Sequence, residues 1–167
     1  NKHHGMNILH ADRIGHGNKS FKFLSYRPRS EKEVRDYLIK KKADDLVIEK
    51  VINKLKEKNF LNDLDFTKWW IEQRTKFKPR AERIIKLELI RKGIAKELID
   101  DVLQDEEIEK ETDLDKAKKI AKKKILRYKN DEPKKQYEKL ARFLASRGFD
   151  WDTIKEVVDQ LIPKRYN

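Results

Sequence analysis

The stretch IIKLELIRKGIAKELIDDVL, from Ile84 to Leu103, decides the fold. Ile84, Ile85, Leu87, Leu89 and Ile90 precede Gly93, and Leu98, Ile99, Val102 and Leu103 follow it. Within each half the apolar residues return at intervals of three and four, the period of a helix with one buried stripe. Glycine takes the left-handed conformation that ends a helix without a side-chain clash. The stretch therefore reads as a helical hairpin, and the chain contains it three times. Leu144, Arg147, Gly148, Phe149, Ile154, Val157 and Val158 stand where Leu89, Lys92, Gly93, Ile94, Ile99, Val102 and Leu103 stood, and Leu38, Lys41, Lys42, Ala43, Ile48, Val51 and Ile52 fill the same slots earlier. The first copy carries Lys42 in place of the glycine, which predicts a more strained or differently shaped turn there.

Upstream of each hairpin lies another apolar segment ending near a proline: Phe21 to Tyr26 before Pro28, Phe66 to Phe77 before Pro79, and Leu114 to Tyr128 before Pro133. Proline disfavours helical geometry in the residue before it, so each repeat is expected to hold three helices. The expected architecture is all-α, an elongated, curved tandem array of three three-helix repeats. Repeat 1 spans 21–63 and repeat 2 spans 64–105; an acidic linker, 106–115, separates them from repeat 3 at 116–162 and a basic tail at 163–167. Composition agrees with an array. With 43% charged and 37% hydrophobic residues and a mean hydropathy of -0.96, the chain suits small local cores between neighbours better than one large globule.

The net charge of +12 attracts polyanions, chiefly nucleic acid or an anionic surface. No run approaches the roughly twenty apolar residues of a membrane span, and no secretory signal is expected. The absence of cysteine removes disulfides and thiolate metal sites and fits a reducing cytoplasm.

Residues 1–20 hold all the histidines, His3, His4, His10 and His16. Arg13-Ile14-Gly15-His16-Gly17 echoes a zinc-site motif of adenosine deaminase-type hydrolases. A hydrolytic zinc site needs several ligands from separated elements, and no histidine follows His16. The segment is expected to be a tag, a junction or a tail. Further on, Ser30 and Glu33 form a capping-box pattern that starts the first hairpin. Asp44 and Asp150 stand where the following helices want caps. Phe60, Leu61 and Leu64 are expected to pack under the connection at 59–65. Phe66, Trp69, Trp70, Ile71 and Phe77 continue a buried stripe, although paired tryptophans can also serve as a stacking platform for bases. From Lys116 to Lys129 the sequence is basic without an acid. Such side chains can lie along a helix facing water, or the repulsion between them can be relieved by a phosphate backbone. Phe143, Phe149 and Trp151 occupy apolar positions of the last hairpin.

Catalysis has no visible apparatus. There is no Gly-rich phosphate loop, no histidine outside residues 1–20 for a nucleophilic triad, and the adjacent carboxylates Asp44 with Asp45 and Asp100 with Asp101 point apart on their helices. The chain reads as a binding protein rather than an enzyme, with no cofactor or metal.

The run Leu24-Ser25-Tyr26-Arg27-Pro28-Arg29-Ser30 followed by Glu33-Val34 resembles the opening signature of the RecX family, modulators of the RecA recombinase. Phe60-Leu61-Asn62-Asp63, Phe66, Arg74, Glu88-Leu89 and Lys92-Gly93-Ile94 follow in that family's order. The resemblance covers residues 21 to 162. It implies a cytoplasmic, monomeric, non-catalytic regulator that lies in the groove of RecA filaments, contacts single- or double-stranded DNA, and limits RecA ATPase, filament growth and strand exchange. The alternative is a basic helical-repeat module that binds nucleic acid without a recombinase partner.

The candidate contacts are cations. Lys41, Lys92 and Arg147 share one repeat position, with Lys40 and Arg91 one place earlier, and would trace a ridge if the repeats stack regularly. As helix C-terminal cations they also complement the dipole. Arg27, Arg29, Arg74 and Arg80 lie near the proline turns, and Lys118, Lys119, Lys122, Lys123 and Arg127 lie on the basic helix.

Overall fold

The computed structural model describes residues 27–105 and 111–162. Among these residues there is no strand. The helices are α1 (Glu31–Lys40), α2 (Asp45–Glu57), α3 (Asp63–Phe77), α4 (Glu82–Arg91), α5 (Lys96–Gln104), α6 (Asp113–Ile125), α7 (Pro133–Ser146) and α8 (Trp151–Leu161), with a 3-10 turn at Leu126–Tyr128 after α6. Repeats 2 and 3 each contain three helices. Repeat 1 shows its hairpin, α1 and α2; the helix expected before Pro28, the segment 1–20 and the tail 163–167 lie outside the described residues. Three hydrophobic clusters follow one another along the chain. Val34, Leu38, Ile48, Ile52, Leu55 and Leu61 form the first. The second gathers Phe66, Ile71, Ile85, Leu89, Ile94, Ile99 and Val102. The third is built on Leu140, Leu144, Phe149, Ile154, Val157 and Val158 with Ala117 and Ala121. Local cores in series are what an all-α tandem repeat requires.

The three hairpin turns are the same motif. Lys42, Gly93 and Gly148 have φ of 58°, 83° and 90°. In each, the following amide reaches back across the turn: Ala43 N to Leu38 O at 3.2 Å, Ile94 N to Leu89 O at 3.1 Å, and Phe149 N to Leu144 O at 3.4 Å. This is a Schellman closure, with the apolar residue after the turn packing on the helix it ends. Lys42 does adopt the strained left-handed geometry, yet the turn keeps its shape.

The glycines answer to packing as well as to φ. A Cβ on Gly93 would stand 2.6 Å from Lys32 Cβ, and one on Gly148 would stand 2.1 Å from Ile84 Cγ1. The turn of each later repeat is pressed against the first turn of the preceding repeat's middle helix. Ser30 Oγ donates to Lys92 O at 2.7 Å, and Ala81 N donates to Arg147 O at 3.1 Å. Each junction is completed by the aspartate that opens the later repeat's first helix, Asp63, one residue before the expected start of repeat 2, and Asp113. Asp63 Oδ1 accepts from Glu31 N at 2.8 Å and Asp113 Oδ1 from Glu82 N at 3.0 Å. These bonds satisfy helix N-terminal amides that have no partner within their own helix. Burial lifts the Asp63 carboxyl above its ordinary pKa, and the Glu31 amide only partly opposes it.

Several expectations need correction. Ser30 and Glu33 make both bonds of the capping box, and Asp150 caps α8 through Thr153 N, but the Asp44 side chain caps nothing. Asn62 and Thr112 supply caps for α3 and α6. Helix α6 therefore begins at Asp113, inside the stretch read as a linker, because Thr112 and Asp113 serve a helix start and a junction. Leu61 is buried, while Phe60 and Leu64 are exposed. Trp151, at the first position of α8, is 61% exposed, and Phe77 is 71% exposed. Helix α3 has 15 residues against 10 and 9 in its partners α4 and α5, so its last turn outruns them. Lys116, read as part of the basic surface, is buried. It stands where repeat 2 has Phe66, and its ammonium pairs with Asp113 at 3.0 Å.

Candidate functional site

Glu33, in the first turn of α1, gathers charge at the junction of repeats 1 and 2. Its carboxylate accepts from Ser30 N at 3.2 Å, from Arg27 Nη1 and Nη2 at 3.2 and 2.6 Å, and from Lys92 Nζ at 2.5 Å. Burial alone would raise the Glu33 carboxyl, but the hydrogen bonds from Arg27 and Lys92, with their charges, hold it below the usual carboxylate range. A second carboxylate, Glu88 on α4, accepts from Trp70 Nε1 at 3.0 Å and Arg74 Nε at 2.6 Å, with Arg80 Nε at 3.6 Å. The Trp70 ring links the two groups. Arg74 lies 4.4 Å from its centre, Lys92 5.2 Å and Arg27 5.9 Å, all within cation–π range. Four expected binding residues, Arg27, Arg74, Arg80 and Lys92, are thus held by acids and indole within the protein. Arg29 beside them is half-buried, and burial and then the neighbouring Arg27 lower its pKa.

The proposed ridge is interrupted. Lys41, Lys92 and Arg147 are equivalent, each the C-cap of its helix. Lys92 and Arg147 lie in junctions, their carbonyls taken by the preceding repeat. Lys92 turns to Glu33, and the Arg147 guanidinium lies 5.1 Å from the Phe143 ring centre. Lys41 remains exposed, with its ammonium 5.7 Å from the Tyr37 ring centre.

Another set faces water. Lys40, Arg91, Lys122, Lys123 and Arg127 are exposed, and among the described residues no carboxylate lies within ion-pair distance of them. On α6, Lys119 pairs with Glu111 at 2.7 Å and Lys118 with Glu156 at 3.5 Å. Lys119 and Lys123 are one helical turn apart on the outer face. Beside the Glu88 group, Trp69, Trp70, Gln73, Arg74, Phe77 and Lys78 line an open depression along α3. The reading by repeat position missed Glu33 and Glu88 as counter-ions; only the capping box hinted at Glu33. Among the described residues no group of histidine, cysteine and carboxylate side chains converges as a metal site, and no helix is long and apolar enough to cross a membrane.

The first, second and third three-helix domains of RecX, as family models, match residues 18–55, 62–103 and 111–158 in that order. The chain is 32% identical over 145 residues to the regulatory protein RecX of Clostridioides difficile, covering 87% of this chain and 67% of the relative. This chain belongs to the RecX family. It is 39% identical over 145 residues to the regulatory protein RecX of Clostridium tetani, covering 86% of this chain and 65% of the relative. To that of Listeria welshimeri it is 34% identical over 149 residues, covering 89% of this chain and 55% of the relative. The chain thus spans about half the length of the Listeria relative. The fold resembles the crystal structure of RecX from Lactobacillus salivarius, with a TM-score of 0.64 at 26% identity, over 87% of this chain and 94% of that one. The RecX relatives are named as regulatory proteins. Glu88 with Arg74, two residues of the sequence resemblance, are ion-pair partners in this RecX chain.

Proposed function

We propose that this protein regulates RecA by binding its nucleoprotein filaments and DNA, and that it lowers RecA ATPase, filament growth and strand exchange. The observation that carries the reading is the set of exposed cations with no counter-ion among the described residues, Lys40, Arg91, Lys122, Lys123 and Arg127, on a RecX-family array. Repeats joined by hydrogen bonds across their junctions carry these charges in series along the chain, which suits a periodic polyanionic fibre. The mechanism is non-catalytic and needs no cofactor: a monomer in the cytoplasm bridges neighbouring recombinase protomers and limits their turnover. RecA's DNA-stimulated ATPase and strand exchange should fall when the protein is added at or below equal amounts. No change in either assay at low salt refutes the proposal.

The same free cations also favour a plain nucleic-acid-binding module. In that case DNA affinity falls with salt at a log–log slope of roughly -0.9 per duplex phosphate neutralised, and RecA turnover changes only as far as the DNA is sequestered. Excess DNA separates the two, because it abolishes sequestration and leaves filament binding.

A further inference from the structure

Helices α3 and α6 occupy equivalent seats. Each begins with an aspartate that accepts from the first amide of the preceding repeat's middle helix, Asp63 from Glu31 N and Asp113 from Glu82 N. Counted from those aspartates, the buried residues coincide: Phe66, Thr67 and Ile71 in α3, and Lys116, Ala117 and Ala121 in α6. The row of α3 that carries Trp69, Gln73 and Phe77 therefore corresponds to Lys119 and Lys123 of α6 and to Arg127 in the 3-10 turn that follows it. At the equivalent place in successive repeats, a row carrying two aromatic rings is followed by a cationic one. Trp70 is covered by Arg74, Lys92 and Phe66, and Trp69 is half-buried, its ring centre 5.9 Å from that of Phe66 and 5.8 Å from the Arg27 guanidinium, so the exposed ring of the row is Phe77. Phe77 is 71% exposed, with Arg74 and Lys78 beside it in the depression.

We infer that these two rows form a path for single-stranded nucleic acid, with unstacked bases on Phe77 beside the half-buried Trp69, and phosphates on Lys123, Arg127 and, in exchange for Glu111, Lys119. A duplex offers phosphates but no base faces, and an acidic protein surface offers charge but no flat π-faces for the aromatic row. A single strand offers both, and aromatic stacking beside a basic track is how such strands are held. The inference rests on the proposed function only in taking the partner to contain DNA.

The test uses the full chain with Trp151→Phe, which leaves Trp69 and Trp70 as the emitting tryptophans. Titration with oligothymidylate should quench that emission, and a duplex of equal length should quench it less. Phe77→Ala should weaken oligothymidylate binding roughly five- to a hundredfold, the range found when a stacking ring is removed. Lys119→Ala with Lys123→Ala should reduce the log–log salt slope by about 1.4, two single-strand phosphates at about 0.7 each. Lys50→Ala with Lys58→Ala, at exposed positions of α2 and its C-cap away from both rows, should leave quenching in place. Phe77 is exposed, so its replacement should leave the circular dichroism unchanged. The path is refuted if Phe77→Ala and the double lysine variant both bind oligothymidylate as the parent does, or if the duplex quenches equally. Should those variants bind the strand normally but lose their effect on RecA turnover, the face is a protein contact; the path falls and the proposed function stands. Should they lose strand binding while the parent has no effect on RecA, the proposed function falls and the path stands.

Discussion

Alanine at Gly148 would place a methyl carbon 2.1 Å from Ile84 Cγ1, and alanine at Gly93 would place one 2.6 Å from Lys32 Cβ. Two costs add. A side chain in the left-handed region costs roughly 1–2 kcal/mol, and forcing an extra carbon into a packed contact costs roughly 1–3 kcal/mol. Together each substitution should destabilise its junction by about 2–5 kcal/mol. Lys42 is the internal control, since it already bears a side chain at φ 58° and belongs to the first described hairpin. Lys42→Gly should therefore change stability by less than about 1 kcal/mol, relief of the left-handed strain being offset by the greater freedom of glycine in the unfolded chain. Local cores in series need not unfold together, so the assay is amide hydrogen exchange with urea unfolding beside it. Gly93→Ala should speed exchange at Glu31 N and spare repeat 3. Gly148→Ala should speed exchange at Ala81 N and Glu82 N, the donors to Arg147 O and Asp113. Unchanged exchange at these amides in both glycine variants, or a loss from Lys42→Gly as large as theirs, would refute the packing argument.

Glu33→Gln removes the charge that holds Arg27 and Lys92, and should cost about 1–3 kcal/mol at neutral pH. Because the folded pKa of Glu33 is depressed, its contribution is fully present above the unfolded glutamate value of about 4.3 and is lost as pH falls through the lower folded value. The variant should accordingly show a shallower fall in Tm between about pH 5 and 3, read by thermal melts across that range; an unchanged acid limb would sink the assignment. Asp63→Ala should cost about 1 kcal/mol, the worth of a helix cap. Asp113→Ala should cost more, about 3 kcal/mol or above, because it also strips the partner from buried Lys116. Replacing Lys116 by leucine in that background should recover most of the difference in urea titrations, whereas equal costs for the two aspartates would contradict the junction description.

The three hairpins, their turns and the surplus of positive charge could be read from residue order, because helix periodicity and left-handed turn closure are properties of segments a few residues long. Even the Lys42 exception was visible, since a Schellman turn asks only for a positive φ, which lysine can reach at a cost. The third dimension decided which cations are available. Lys92 and Lys41 occupy the same place in their repeats, yet Lys92 is claimed by Glu33 across 59 residues of chain, and no local pattern announces such a partner. Phe77 reads as core by its spacing from Phe66 and lies in water because its helix outlasts the two that cover it. Lys116 reads as surface and is buried, because the seat filled by Phe66 in repeat 2 faces Asp113 in repeat 3. The order of residues sets what each segment can form; the neighbours brought against it set which charges remain for a partner.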